Sequence, residues 1–298
     1  MADMDHPRAL SFTKGHGTEN DFILVPDLDG ELDLSAGVVR SLADRRAGIG
    51  ADGVIRVVRS ARSREPAVEG LAADAEWFMD YRNADGSIAE MCGNGTRVFA
   101  AYLRREGLET RDEFPIATRA GVKTVRATDS GYAVDLGPWL VEEANQAQRE
   151  GFTAVVALDG LPDLPGLRVD MGNPHTVVVL PTEVDLASLD LTMAPRVAPT
   201  PEHGTNVEFV RVVGPGHIAM RVVERGVGET RSCGTGAAAA AVAVRWWQGP
   251  TDDNREWTVD VPGGRLHVVA TPHGTAELAG PAALVADGVV SLTSADLS

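Results

Sequence analysis

The chain carries one short pattern twice, and that duplication constrains its architecture more than any other feature. Met91-Cys-Gly-Asn-Gly-Thr96 and Ser232-Cys-Gly-Thr-Gly-Ala237 hold Cys, Gly and Gly in register, about half a chain apart. Each copy follows a turn-rich stretch with an acidic residue, and each precedes an apolar run of helical character. Self-similarity of this kind marks repeated structural units. A chain of 298 residues accommodates two domains of ordinary size. Hydrophobic residues make up 44% and aromatic ones only 5%, so the cores must be mostly aliphatic and rich in alanine. The expectation is two homologous halves facing each other across a cleft.

Local patterns fill in the halves. In the first, Leu10–Phe12, Ile23–Val25, Val54–Val58, Trp77–Tyr81, Phe114–Thr118, Val122–Ala127 and Tyr132–Leu136 predict strands. Lys14 to Phe22 reads as a polar loop. Ser35 to Arg46 predicts a helix with Ser35 as its N-cap, and a second helix is expected from about Thr96 to Arg105. Ser60 to Asp74 reads as an exposed, irregular insertion. In the second half, strands are predicted at Leu167–Met171, Thr176–Leu180, Trp257–Val261, Arg265–Ala270, Thr275–Ala279 and Val289–Leu292. Asn206–Val213 and His217–Glu224 form a hairpin around Gly214-Pro-Gly216. An alanine-rich helix is expected from Ala237 to about Trp247.

Charge narrows the function. The net charge of −16 repels phosphate backbones and argues against nucleic-acid or anionic-membrane partners. Met1 to Leu10 has no apolar core of a secretory signal. No run approaches the roughly 18 apolar residues of a membrane span. Two cysteines and no signal fit a reducing, cytoplasmic setting with free thiols.

A cysteine just before a helix meets unpaired backbone N–H groups and the positive end of the helix dipole. Both favour thiolate. The same N–H groups can hold a carboxylate. Two such loops across one ligand suit racemisation, in which a base takes a proton from one face of a carbon and an acid returns one to the other. Without a cofactor, stabilisation of the carbanion must come from N–H donors and from exclusion of water. The competing reading is a pair of buried structural cysteines. Neither loop ends in the Gly-Lys-Ser/Thr of a P-loop, and two distant cysteines make a poor zinc set, so no metal is expected. His175 in Gly-Asn-Pro-His reads equally as a turn histidine satisfied by backbone. Glu224-Arg225 reads equally as a solvated strand end. Asn20, Asn83, Asn173 and Asn206 lie in or beside predicted turns, where Asn is favoured for backbone reasons.

Taken in order, His16-Gly-Thr-Glu-Asn-Asp21, Gly48-Ile-Gly-Ala-Asp52, Asn83-Ala-Asp-Gly-Ser87, Glu90-Met-Cys-Gly-Asn-Gly95, Gly172-Asn-Pro-His175, Asn206-Val-Glu-Phe209 and Glu224-Arg-Gly-Val-Gly-Glu-Thr230 running into Cys233-Gly-Thr-Gly236 resemble the diaminopimelate epimerase family. The resemblance spans Phe12 to about Gly280. It implies an α/β fold of the α+β type, with two pseudo-symmetric domains. Each would be a mostly antiparallel β-sheet or barrel around a central helix, with the active site in the cleft between them. The domains would be 1–130 with Cys92 and 131–280 with Cys233, and 281–298 would return to the N-terminal domain. It also implies cofactor-independent interconversion of LL- and meso-diaminopimelate, on the route to lysine and peptidoglycan, by a homodimer acting on a small amino acid.

By this resemblance Cys92 and Cys233 are the acid/base pair, tuned by His175 and Glu224. Asn20, Asn83, Asn173, Asn206 and Arg225 would hold the distal end of the substrate, with Glu224 beside them. Gly93, Asn94, Gly234 and Thr235 would cradle the reacting end. One position departs from the family: many members carry Gln where this chain has Gly53. Two alternatives share the two-cysteine feature. One is an enzyme of the proline or hydroxyproline racemase kind; the other is a non-catalytic amino-acid-binding clamp or redox switch.

Overall fold

The computed structural model describes residues 8–292. Part of the Met1–Leu10 stretch and the end of the 281–298 segment lie outside the described residues. In chain order the elements are β1 (Arg8–Gly17), β2 (Asn20–Pro26), α1 (Ala36–Ala43), β3 (Gly53–Arg59), β4 (Trp77–Asn83), α2 (Gly93–Arg105), β5 (Glu113–Thr118), β6 (Gly121–Thr128) and β7 (Gly131–Pro138). Then follow β8 (Leu140–Val141), α3 (Ala144–Glu150), β9 (Ala154–Ala157), β10 (Leu164–Asp170), β11 (Pro174–Val179), β12 (Arg196–Ala198), β13 (Asn206–Gly214), β14 (His217–Glu224) and β15 (Gly228–Thr230). The chain closes with α4 (Gly234–Gln248), β16 (Glu256–Val261), β17 (Gly264–Ala270), β18 (Thr275–Gly280) and β19 (Ala283–Leu292). Among the described residues no helix is long and apolar enough to cross a membrane. Asp135–Gly280 forms one compact unit, and the described residues on either side of it form another.

The near-repeat in the sequence is a repeat of topology. In the first unit β1·β2 is antiparallel, β2·β3 parallel, β3·β4 antiparallel, β4·β5 parallel, and β5·β6 and β6·β7 antiparallel. The second unit gives the same succession with β10·β11, β11·β13, β13·β14, β14·β16, β16·β17 and β17·β18. The central helix occupies the same place in each, α2 between β4 and β5 and α4 between β14 and β16. β19 pairs with β1, Arg8 opposite Leu292 and His16 opposite Ala283, so the end of the chain returns to the first unit. The fold is of the α/β class, mostly strand.

Both central helices are almost wholly buried, which accounts for their sequences. Residues Gly93 to Ala100 of α2 are all buried, as are Ala237 to Val244 of α4. A helix enclosed by strands must be apolar on most sides, and the alanines of α4 leave room for the backbone to approach. Separate hydrophobic cores complete each unit: Ile23, Val25, Val38, Leu42 and Val54 in one, Val156, Leu164, Val178 and Phe209 in the other. Full burial of each Val, Leu, Ile or Phe is worth about 1.5–3 kcal/mol.

Several sequence expectations are corrected. The polar loop over Lys14 to Phe22 is a hairpin closed by only Thr18 and Glu19, at φ 51° and 64°. Left-handed backbone at both turn positions suits a two-residue hairpin, but the sequence there lacks the usual Asn-Gly signal. Both central helices start about three residues earlier than expected, because each cysteine is itself the N-cap. Helix α1 begins as expected, with the Ser35 hydroxyl accepting from Val38 N–H, but ends at Ala43, where Asp44 turns extended. Ser60–Asp74 is not a simple exposed insertion. It forms short 3-10 turns, and Val68 is buried with Val58, Ala75, Phe78 and Ala117. The final strand is ten residues long rather than four, and α3, β8, β9 and β12 have no forerunner in the sequence patterns.

Candidate active site

Each of the two Cys-Gly-x-Gly loops folds into a helix N-cap. Cys92 has φ −142° and ψ 118°, Cys233 φ −122° and ψ 118°. With the cysteines extended and the next residue helical, the Sγ atoms turn back over the first helical turn. Gly95 N–H reaches Cys92 Sγ at 3.5 Å, and Gly236 N–H reaches Cys233 Sγ at 3.4 Å. The N–H groups of a first helical turn have no carbonyl acceptor earlier in the helix. They are the donors expected of Gly93, Asn94, Gly234 and Thr235.

The surroundings of the two sulfurs differ. Cys92 is half-buried. Its Sγ lies 3.8 Å from Asn20 Oδ1, which also accepts from Asn94 Nδ2 at 3.2 Å. Asn20 is held in turn by donating to Asp52 Oδ2 at 2.7 Å. Asn83, at the end of β4, donates to Ser87 Oγ on its own turn at 3.0 Å, while the next residue, Ala84, donates its N–H to Asp52 O. Gly53 pairs with Asn83 in the β3·β4 register, and a Cβ there would stand 2.6 Å from Arg82 O and 2.5 Å from the Tyr81 ring. The Tyr81 ring thus occupies the space a side chain would need.

The second loop is buried and crowded with acids. Cys233 Sγ lies 3.5 Å from Thr235 Oγ1, which accepts from Asn173 Nδ2 at 3.4 Å. Asn173 Oδ1 is 3.1 Å from His175 Nε2, and His175 Nδ1 is 2.6 Å from Glu208 Oε1. His175 and Asn206 are opposite each other in the parallel β11·β13 pair, and Asn206 Oδ1 accepts from Arg225 N–H at 2.9 Å. The exposed Arg225 side chain donates to His203 O at 2.7 Å. Glu224 Oε1 accepts a short hydrogen bond from Thr230 Oγ1. The sequence-derived residues therefore gather into a first-unit group of Asn20, Cys92, Gly93 and Asn94, and a second-unit group of Asn173, His175, Cys233, Gly234 and Thr235. Asn206 adjoins the latter through the strand register.

The expectation that both loops favour thiolate fails for Cys233. Burial pushes its thiol well above the ordinary cysteine value, and the charges of Glu224 and Glu208 push it further. The Thr235 hydroxyl and Gly236 N–H oppose this but are outweighed. Desolvation here exceeds what one helix terminus returns. At neutral pH Cys233 is a thiol, the form a proton donor requires.

A family model described as diaminopimelate epimerase matches residues 12–141 and 167–285. The chain belongs to the diaminopimelate epimerase family. A curated diaminopimelate epimerase of Streptomyces coelicolor is 49% identical over 94% of each chain. One from Thermobifida fusca is 48% identical over 96% of this chain and 99% of that one. Among solved structures, a hydroxyproline epimerase from Agrobacterium vitis with bound trans-4-OH-L-proline matches at TM-score 0.66 and 14% identity, covering 97% of this chain and 94% of that one. A Bacillus anthracis phenazine biosynthesis protein of the PhzF family matches at TM-score 0.64 and 17% identity, over 96% and 100%. At those identities the likeness is one of fold.

In this member of the diaminopimelate epimerase family, three site residues escape the sequence reading. Glu208 is an acid in the middle of a buried strand, flanked by Val207 and Phe209; its signals were that apolar flanking and its place in Asn206-Val-Glu-Phe209. Arg97 is an arginine on the buried helix α2. Asp52 orients Asn20 from another strand's approach; its signal was its place in Gly48-Ile-Gly-Ala-Asp52, from which no role was read.

Proposed function

We propose that this protein interconverts LL- and meso-diaminopimelate without a cofactor, moving a proton across one α-carbon between Cys92 and Cys233. The observation that carries the reading is the duplicated N-cap: two thiols in equivalent positions of two equivalent folds, with Cys233 held toward its protonated form. An epimerase needs an acid on one face while a base works on the other, and a protonated Cys233 supplies the acid.

In the forward direction the Cys92 thiolate removes the α-proton, and the Cys233 thiol delivers its proton to the opposite face. The reverse direction exchanges the roles. Negative charge develops on the α-carboxylate oxygens as the carbon becomes planar. First-turn N–H groups of Gly93, Asn94, Gly234 and Thr235 stabilise that charge, and such fixed donors act most strongly in a site that excludes water. His175 and Glu224 tune the thiols. Asn20, Asn83, Asn173, Asn206 and Arg225 receive the distal ammonium and carboxylate, since Asn both donates and accepts and a guanidinium matches a carboxylate. Proline has no second carboxylate, so it is expected to be a poor substrate. The mechanism requires both thiols to stay reduced and is assigned to the reducing cytoplasm. The working form is taken as a homodimer; exposed Val285 and Val289 of β19 offer apolar surface to a second copy.

The decisive experiment incubates reduced protein with LL-diaminopimelate in deuterated water. Deuterium should enter at one α-carbon as meso isomer accumulates. Retention of hydrogen at both α-carbons by folded protein refutes the reading. Cys92→Ala and Cys233→Ala should each lower kcat by roughly a thousandfold or more, the scale of a lost acid or base.

A further inference from the structure

Charged groups on the elements around α2 are almost all paired. On β1 and β2, Lys14 and Asp21 form an ion pair, and Arg45 bridges Asp21 and Asp52. His16 Nδ1 accepts from Glu19 N–H. On β3 and β4, Asp80 is surrounded by Arg56, Arg82 and Arg119. On β19, Asp287 meets Arg105. β6 contributes Lys123 and Arg126. Arg97 stands apart from all of these. It is fully buried, five residues after Cys92 on the same helix. Its Nη1 donates to Gly93 O at 3.4 Å, its Nη2 to Thr18 Oγ1 at 3.3 Å, and its Nε to Pro281 O at 3.4 Å. All three acceptors are neutral. No carboxylate among the described residues pairs with this guanidinium.

A buried cation without an anion is strongly unfavourable, and such a group persists where the protein has a use for its charge. The backbone around it is specialised. Thr18, which offers the hydroxyl, is held at φ 51°, an uncommon place for a β-branched residue. Gly17 leaves the guanidinium its space: a Cβ there would sit 3.1 Å from Arg97 Nη2. The Nη1 bond to Gly93 O holds the cation against the turn that follows Cys92.

We propose that Arg97 is the counter-cation of the Cys92 thiolate, so that the first loop carries the base before substrate arrives. Burial draws the guanidinium down to about 10, still charged at neutral pH, and Cys92 is the neighbouring charge that opposes the fall. By reciprocity the cation favours the thiolate. The two loops are then set in opposite senses, Cys92 toward base by Arg97 and Cys233 toward acid by Glu208 and Glu224. The proposal rests on the two-thiol reading above. Arg97 touches no reacting atom, and its role is a positioning one exerted through Cys92.

The test uses the full-length Cys233→Ala protein, in which Cys92 is the remaining thiol. Its thiolate is titrated by ultraviolet absorbance and by the pH dependence of iodoacetamide alkylation. Arg97→Gln should move the midpoint upward by about one pH unit, so that alkylation at neutral pH slows roughly tenfold, whereas Arg97→Lys should move it far less. An unmoved midpoint in folded Arg97→Gln, or an equal shift in Arg97→Lys, overturns the proposal. Should Arg97→Gln fail to fold, melting temperature gives a second reading. The advantage of Cys233→Ala over Cys92→Ser/Cys233→Ala should grow between about pH 6 and pH 8.5, as expected for a thiol depressed on folding; a constant difference overturns the proposal. Neither measurement uses substrate. A failure here leaves the deuterium experiment standing, and a failure there leaves this titration standing.

Discussion

His175 Nδ1 lies 2.6 Å from Glu208 Oε1, and neither side chain has solvent exposure. Glu208 Oε2 is buried without a hydrogen-bond partner among the described residues. Burial raises the Glu208 carboxyl, and only partial relief comes from His175. A carboxylate left half-satisfied in a core is costly, and this one is aimed at the second loop: a Cβ on Gly236 would meet its Oε1 at 2.7 Å. The pair fixes the ring of His175, whose other nitrogen leads through Asn173 and Thr235 to Cys233.

Glu208→Gln keeps an oxygen for His175 Nδ1–H but removes the charge. Because Glu208 raises the Cys233 thiol, its neutralisation should let Cys233 ionise at lower pH. In a Cys92→Ala background, the midpoint of Cys233 alkylation against pH is expected to fall, and in the two-cysteine protein turnover should drop about tenfold. An unshifted midpoint would remove Glu208 from the site. Glu208→Ala, which orphans His175 Nδ1, should in addition cost about 1–3 kcal/mol of stability by denaturant unfolding.

The two loops look alike in sequence but should respond differently to the same substitution. In Gly236→Ala the added methyl meets Glu208 Oε1 at 2.7 Å and Cys233 Sγ at 3.3 Å. In Gly95→Ala it meets only Ile55 Cδ1 at 3.3 Å and Cys92 Cβ and a Phe22 ring carbon at 3.5 Å. Gly236→Ala is therefore expected to lower kcat/KM roughly a hundredfold, the scale of a small misplacement at a reacting group, and Gly95→Ala by much less. Steady-state kinetics on both variants decide it.

Acid should loosen the first unit through Asp21. Burial alone would raise this carboxyl, but hydrogen bonds from Arg45 and Lys14 outweigh it and hold it well below the usual carboxylate range. A depressed folded value contributes stability that is complete above the unfolded value of about 3.9 and is lost as pH falls toward the folded one. Melting curves of the parent and Asp21→Asn should differ most near neutral pH, and the gap should narrow steadily as pH falls below about 4. A gap that persists in acid would mean the carboxylate's charge is not what the cluster uses.

Sequence by itself determined the duplication, most strand positions, the β13–β14 hairpin, the Ser35 cap and the two cysteine loops. These are written in residues adjacent along the chain: a period of two in strands, a glycine-flanked cysteine before an apolar run, an N-cap serine before a helix. Tertiary structure decided the rest. Thr18–Glu19 adopts a left-handed turn because β1 and β2 pair up to Gly17 and Asn20, not because its own residues prefer one. The segment over Ser60–Asp74 is anchored because Val68 finds Phe78 and Ala117 on other strands. The protonation of Cys233 depends on Glu208 and Glu224, which come from two neighbouring strands, and on a burial no local pattern displays. Charge and desolvation act through space, so the chemistry of a thiol is set by whichever groups folding carries to it.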